Sequence, residues 1–136
     1  MFVAKQEFYK AVINNPQHIK ALDNLAYIYL LENNLDSAIK YYNQVLLYSK
    51  NNINSMNNLA VCFLTQKNYD EAIKIFFNVI EIDPQNVDGY NNLGVCYYYK
   101  GDWENAYRYF EKAYILQPIE KYKQNLEMID NIRGKK

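Results

Sequence analysis

Three carboxamides, Asn24, Asn58 and Asn92, recur at a spacing of 34 residues, with Asn57 and Asn91 beside two of them. A carboxamide has two donor hydrogens and an acceptor oxygen, so it can pair with both the N–H and the C=O of an extended polypeptide. Repeated at a fixed interval, it would track a backbone without reading its side chains. The competing reading is structural: each amide bonds a neighbouring helix of its own chain. Other chemistry finds little support. The one histidine, His18, falls in a loop after Pro16, and with two separated cysteines it gives no metal-ligand spacing. Gly89, Gly94, Gly101 and Gly134 form no phosphate loop. Asp70-Glu71 and Asp102/Glu104 sit where helices should start, and acids there complement the helix dipole rather than form an acid–base pair. No nucleophile–base set can be assembled. The expectation is therefore a protein that is not an enzyme and holds no cofactor or metal.

The period extends well beyond the amides. Tyr90, Leu93, Gly94, Tyr97, Ala106, Phe110, Ala113 and Pro118 occupy positions 4, 7, 8, 11, 20, 24, 27 and 32 of a unit running over residues 87–120. One period earlier the same slots hold Met56, Leu59, Ala60, Phe63, Ala72, Phe76, Val79 and Pro84. A further step back gives Leu22, Leu25, Ala26, Tyr29, Ala38, Tyr42, Val45 and Lys50. This pattern resembles the tetratricopeptide repeat, a two-helix unit with Leu-Gly and Tyr on its first helix, Ala, Phe and Ala on its second, and a closing Pro. Residues 87–120 match every slot; the earliest unit departs most, with Lys50 in place of Pro. The resemblance implies an all-α fold, a right-handed α-solenoid of stacked helix-turn-helix repeats, covering roughly the whole chain.

The residue types agree with such a fold. Leu93, Tyr97 and Tyr90 are spaced to share one helical face. Ala26, Ala60 and Gly94, with Ala38, Ala72 and Ala106, sit where the two helices of a hairpin should come closest, at the about 8–10 Å typical of packed helices. Gly101-Asp102 offers a left-handed position followed by an N-cap, and Asn33-Asn34 and Lys67-Asn68 fill the same slots. Asn68 with Glu71 resembles a capping box. First helices are expected near 20–32, 54–66 and 88–100, and second helices near 36–49, 70–82 and 104–116. Cys62 and Cys96 share one slot and read as small core residues, since stacked helices should hold their backbones beyond the roughly 7 Å a disulfide allows.

At 136 residues the chain suits a single domain of residues 1–136: a half repeat at 1–18, full repeats at 19–52, 53–86 and 87–120, and a capping helix at 120–133. In the half repeat, Ala4, Phe8, Ala11 and Pro16 fill second-helix slots, and the matching first helix is missing. Either this is a natural cap or the chain was cut from a longer array. The cut is favoured, because Phe2, Val3 and Phe8 otherwise lack a partner helix on one side. In the capping helix, Tyr122, Leu126, Ile129 and Ile132 should cover the last repeat, while Lys121, Lys123, Glu127, Asp130 and Arg133 should face water. The tail Gly134-Lys135-Lys136 is expected to fray. Fifteen basic and fifteen acidic residues cancel, which leaves no electrostatic footprint for nucleic acid or an anionic membrane. No apolar run nears the ~20 residues of a membrane span, and Met1–Glu7 lacks the pattern of a secretory signal. Both fit a cytoplasmic protein, or an excised domain that lost its signal.

The resemblance implies a concave surface lined by first helices, where a peptide or partner-protein segment binds. Helical spacing puts positions 2, 5, 6, 9, 12 and 13 there. The expected contacts are Asn24, Tyr27, Asn57, Asn58, Val61, Asn91, Asn92, Val95 and Tyr98, with Leu30, Leu64 and Tyr99 extending an apolar strip. Tyr98 and Tyr99 have a structural alternative, packing against the next repeat. The alternative role for the chain is a scaffold, an accessory module of a larger protein, or a self-association element working through its N-terminal half repeat. Family members that grip the acidic C-terminal tails of heat-shock chaperones use basic and amide residues as a clamp. Their slots here hold Asp23, Tyr27, Asn58, Asp88 and Asn92, so only Asn58 matches and two carboxylates would repel the tail. Isothermal calorimetry with an acidic chaperone-tail peptide should therefore show no micromolar binding; a micromolar isotherm would overturn this assignment.

Overall fold

The computed structural model describes residues 2–134; the expectation for Lys135 and Lys136 lies outside them. Among the described residues the chain is wholly helical: α1 (Phe2–Asn14), α2 (Ile19–Leu31), α3 (Leu35–Tyr48), α4 (Ile53–Thr65), α5 (Tyr69–Ile82), α6 (Val87–Tyr99), α7 (Trp103–Leu116) and α8 (Glu120–Ile132). The first and second helices of each repeat lie within a residue or so of the spans expected from the period. The helices group into two compact units, Met1–Gln66 with α1–α4 and Lys67–Lys136 with α5–α8.

The turns explain where helices stop. Asn33, Lys67 and Gly101 fill one slot of the repeat, and each takes a left-handed backbone, with φ of 58°, 64° and 78°. The next residue caps the second helix: Asn34 accepts from the Ser37 N–H, and Asp102 from the Asn105 N–H. Asn68 differs from expectation, making no side-chain cap bond, so Glu71 completes no capping box. First helices are capped as well, by Asn52 to Ser55 and Asn86 to Gly89. His18 is exposed as expected, but it does more than fill a loop: its Nδ1 accepts the Ala21 N–H at 3.2 Å and caps α2.

In the first unit α2 and α3 form a hairpin, with α1 packed on α2 and α4 on α3. Leu22, Leu25, Ala26, Ala38, Tyr42 and Val45 are all completely buried. Each large apolar side chain so removed from water contributes about 1.5–3 kcal/mol. Tyr29 and Tyr41 add a stacked pair across the hairpin, centroids 5.6 Å apart. By contrast, α1 has no buried residue.

In the second unit α6 and α7 form the equivalent hairpin, with α5 on α6 and α8 on α7. Tyr122 of α8 packs with Tyr90 and Ala113, and Ile129 packs with Ala106 and Phe110. α8 thus packs on the α6–α7 hairpin, with two differences from the expected side-chain pattern. Ile132, the final residue of α8, stands 42% exposed and lies outside the cluster that Ile129 forms with Ala106 and Phe110. Arg133 is not solvated: its side chain is 16% exposed, because the guanidinium lies 4.5 Å from the Tyr107 ring centre and is held by Asp130 and Glu104 at 3.1 and 3.5 Å.

Gly94 fixes the spacing of α6 and α7. A Cβ there would lie 2.4 Å from Cδ1 of Phe110, whose ring is itself buried and cannot swing clear. Gly94→Ala should lower unfolding free energy by about 1–3 kcal/mol through overpacking. Urea denaturation checks this; an unchanged midpoint would mean the helices separate without cost.

Candidate functional site

In the first unit the outward positions of α2 and α4 carry Asn24, Tyr27, Asn57, Asn58 and Val61. Tyr27 is the most open at 46% exposed, and the other four are half-buried. Burial, with the Asp23 carboxylate and Cys62 nearby, raises the Tyr42 phenol well above its usual range. One turn of the face is held from within: the buried Ser55 hydroxyl donates to the Asp23 carboxylate at 2.7 Å, tying α4 to α2.

In the second unit the face of α6 carries Asn91, Asn92, Val95 and Tyr98. Asn92 is half-buried, while Val95 and Tyr98 also pack against the Ala106–Phe110–Ile129 cluster. Asn91 is buried, and its Oδ1 accepts a 2.8 Å hydrogen bond from the Asn125 amide on α8. The structure therefore brings α6 and α8 together through amides one period apart, and spends Asn91 on that link. A buried amide with its partner removed costs about 1–3 kcal/mol, which explains a polar residue at this depth.

Two features lay outside the sequence reading. One is the polar link between first helices, Asp23–Ser55 and Asn91–Asn125; the 34-residue spacing of Asn91 and Asn125 was its visible signal. The other is an aromatic cluster. Tyr69 stacks on Tyr99 at 5.8 Å, Tyr99 meets Tyr98 edge-on at 5.2 Å, and Tyr98 leans on Trp103 at 5.6 Å. Tyr69 and Trp103 occupy the same slot, the first residue of a second helix, so periodicity could have paired them. No group of His, Cys, Asp or Glu among the described residues could hold a metal ion. Among the described residues no helix is long and apolar enough to cross a membrane.

Helical hairpins joined by left-handed turns, with small residues at their crossings, define a class: the all-α helical-repeat proteins. Residues 29–93 and 87–119 each match the tetratricopeptide repeat in sequence. The chain belongs to the tetratricopeptide repeat family. No curated protein sequence matches it. Among solved structures, MamA superposes with a TM-score of 0.89 at 18% identity, over 96% of this chain and 77% of that one. The Arabidopsis OM64 TPR domain gives 0.78 at 18% identity, over 83% and 94%. The first TPR of Spaghetti (RPAP3), bound to an HSP90 peptide, gives 0.81 at 18% identity, over 87% and 94%. These likenesses show the fold, an all-α solenoid of tetratricopeptide type.

The cysteines bear on stability rather than on the site. Both are buried, and burial pushes Cys62 from 9.0 up to about 11 and Cys96 from 9.0 up to about 12. An unfolded chain would ionise these thiols above about pH 9, while the folded chain keeps them protonated. Their contribution is intact below that pH and is lost as pH rises through 11 and 12. Both thiols should resist a disulfide reagent at neutral pH and react once denaturant is added; rapid labelling of the native protein would contradict their burial.

Proposed function

We propose that this chain is a protein-interaction module whose first helices bind an extended segment of a partner protein. The observation that carries the reading lies within each unit. The apolar first-helix slots are buried against the second helices, while Asn24, Tyr27 and Asn58 in one unit, and Asn92, Val95 and Tyr98 in the other, keep part of their surface open. Half-exposed amides beside apolar side chains suit a polypeptide, which offers backbone N–H and C=O groups and side chains at regular intervals. A peptide-bound relative in fold, the first TPR of Spaghetti (RPAP3), supports the general mode. Its acidic ligand does not transfer, because Asp23 and Asp88 put negative charge on the face. Asn91 contributes by holding the face in register through its bond to Asn125, and Asn57 stays among the proposed contacts.

A second reading is favoured by α1, which leaves Phe2, Val3 and Ile13 at 72%, 70% and 64% exposed. Such a face suits self-association or a scaffold contact. One experiment separates the two. Capture from native cell extract compares wild type with the triple variant Asn24→Ala, Asn58→Ala, Asn92→Ala, after circular dichroism shows equal helicity and melting. Loss of a specific partner from the variant is the expected result. An unchanged set of partners would remove function from the amides and leave α1 as the binding element.

A further inference from the structure

The aromatic cluster at the end of α6 has more open ring surface than core packing requires. Tyr99 is 60% exposed, and Tyr69, Tyr98 and Trp103 are half-buried. The charges beside these rings are mostly negative. Asp70 follows Tyr69, and Asp102 and Glu104 flank Trp103. The Asp70 and Glu104 side chains are 82% and 88% exposed. Hydrogen bonds from the Asn105 side chain and backbone hold the Asp102 carboxyl below its usual range, so it stays ionised. The neighbouring cation, Lys100, is already paired with Asp70.

The same unit shows what such a surface binds. Four residues after Trp103, and so on the same side of α7, the Tyr107 ring carries the Arg133 guanidinium, with Glu104 and Asp130 completing the contact. Elsewhere Lys5 lies over Tyr29 and Lys112 over Tyr90. Among the described residues, no cation of the chain lies over Tyr69, Tyr98, Tyr99 or Trp103. The cluster therefore repeats the aromatic-and-acid arrangement with no cation over its rings: Asp70 is paired with Lys100 and Glu104 with Arg133, both acids keeping most of their surface open, while Asp102 carries no ion pair among the described residues. A planar guanidinium fits best, since it stacks on aromatic faces and pairs with carboxylates in a fork.

We propose that the Tyr69–Tyr99–Tyr98–Trp103 cluster receives an arginine side chain of the bound partner segment, an assignment that rests on the polypeptide-binding reading above. Trp103 is the only tryptophan, so its fluorescence reports on this site without a label. The test titrates the purified protein with extended Gly-Ser peptides that differ in one central residue: Arg, Lys, Pro, Glu or Ala. The Arg peptide should change Trp103 fluorescence saturably and bind about threefold or more tighter than the Ala peptide. Tyr99→Leu, folded by circular dichroism, should erase that difference, and Tyr99→Phe should restore it. Equal binding of Arg and Ala peptides, or tighter binding of the Pro peptide, would overturn the proposal and leave polypeptide binding standing. No response to any peptide would also overturn it, and the asparagine triple variant would then decide the broader reading separately.

Discussion

The distance between the two helices of a hairpin is the constraint on which the rest depends. In the second unit it is set by Gly94 lying against the ring of Phe110. In the first, Ala26 and Ala38 fill small-residue slots of the same repeat and are completely buried. Small residues at a crossing let backbones approach, and the large side chains around them then fill space without voids. Once the spacing is fixed, so is the direction in which each first helix presents its outer positions. A change at the crossing would move Asn92, Val95 and Tyr98 together, since they ride on the same rigid helix.

A second layer of order comes from polar groups. Asp23–Ser55 and Asn91–Asn125 link consecutive first helices within each unit at 2.7 and 2.8 Å. Apolar packing alone tolerates sliding, whereas a directional hydrogen bond between half-buried groups does not. The asparagines are thus divided between two tasks. Asn91 holds neighbouring helices in register, while Asn24, Asn58 and Asn92, one residue further along, remain partly open.

The fold was legible because one period constrains many residues at once. Apolar slots, small residues and turn residues each recur at 34, and helix positions follow to within a residue or so. Side-chain engagement was less legible. Asn91, which meets Asn125, and Asn92, which stays half-open, are adjacent and alike in type, so only the 34-residue spacing from Asn91 to Asn125 could have told them apart. Arg133 was misplaced for a related reason: a terminal cation normally reaches water, but here Tyr107 and two acids meet it. His18 caps a helix through a ring nitrogen, a role that the usual Ser, Thr, Asp and Asn signals do not reveal. Asn68 shows the reverse, since a favourable residue at a favourable slot makes no cap bond.

The left-handed slot shared by Asn33, Lys67 and Gly101 has an elastic consequence. Glycine adopts that conformation freely and asparagine tolerates it, while a long side chain carries roughly 1–2 kcal/mol of strain. The three turns are therefore graded in stored strain, from relaxed at Gly101 to loaded at Lys67. Repeat arrays open piecewise rather than all at once, and they open where the local free energy is lowest. The loaded turn coincides in sequence with the boundary between the two compact units. Tyr69 begins α5 two residues beyond this turn and stacks on Tyr99, so strain released at Lys67 would be felt first by the aromatic cluster.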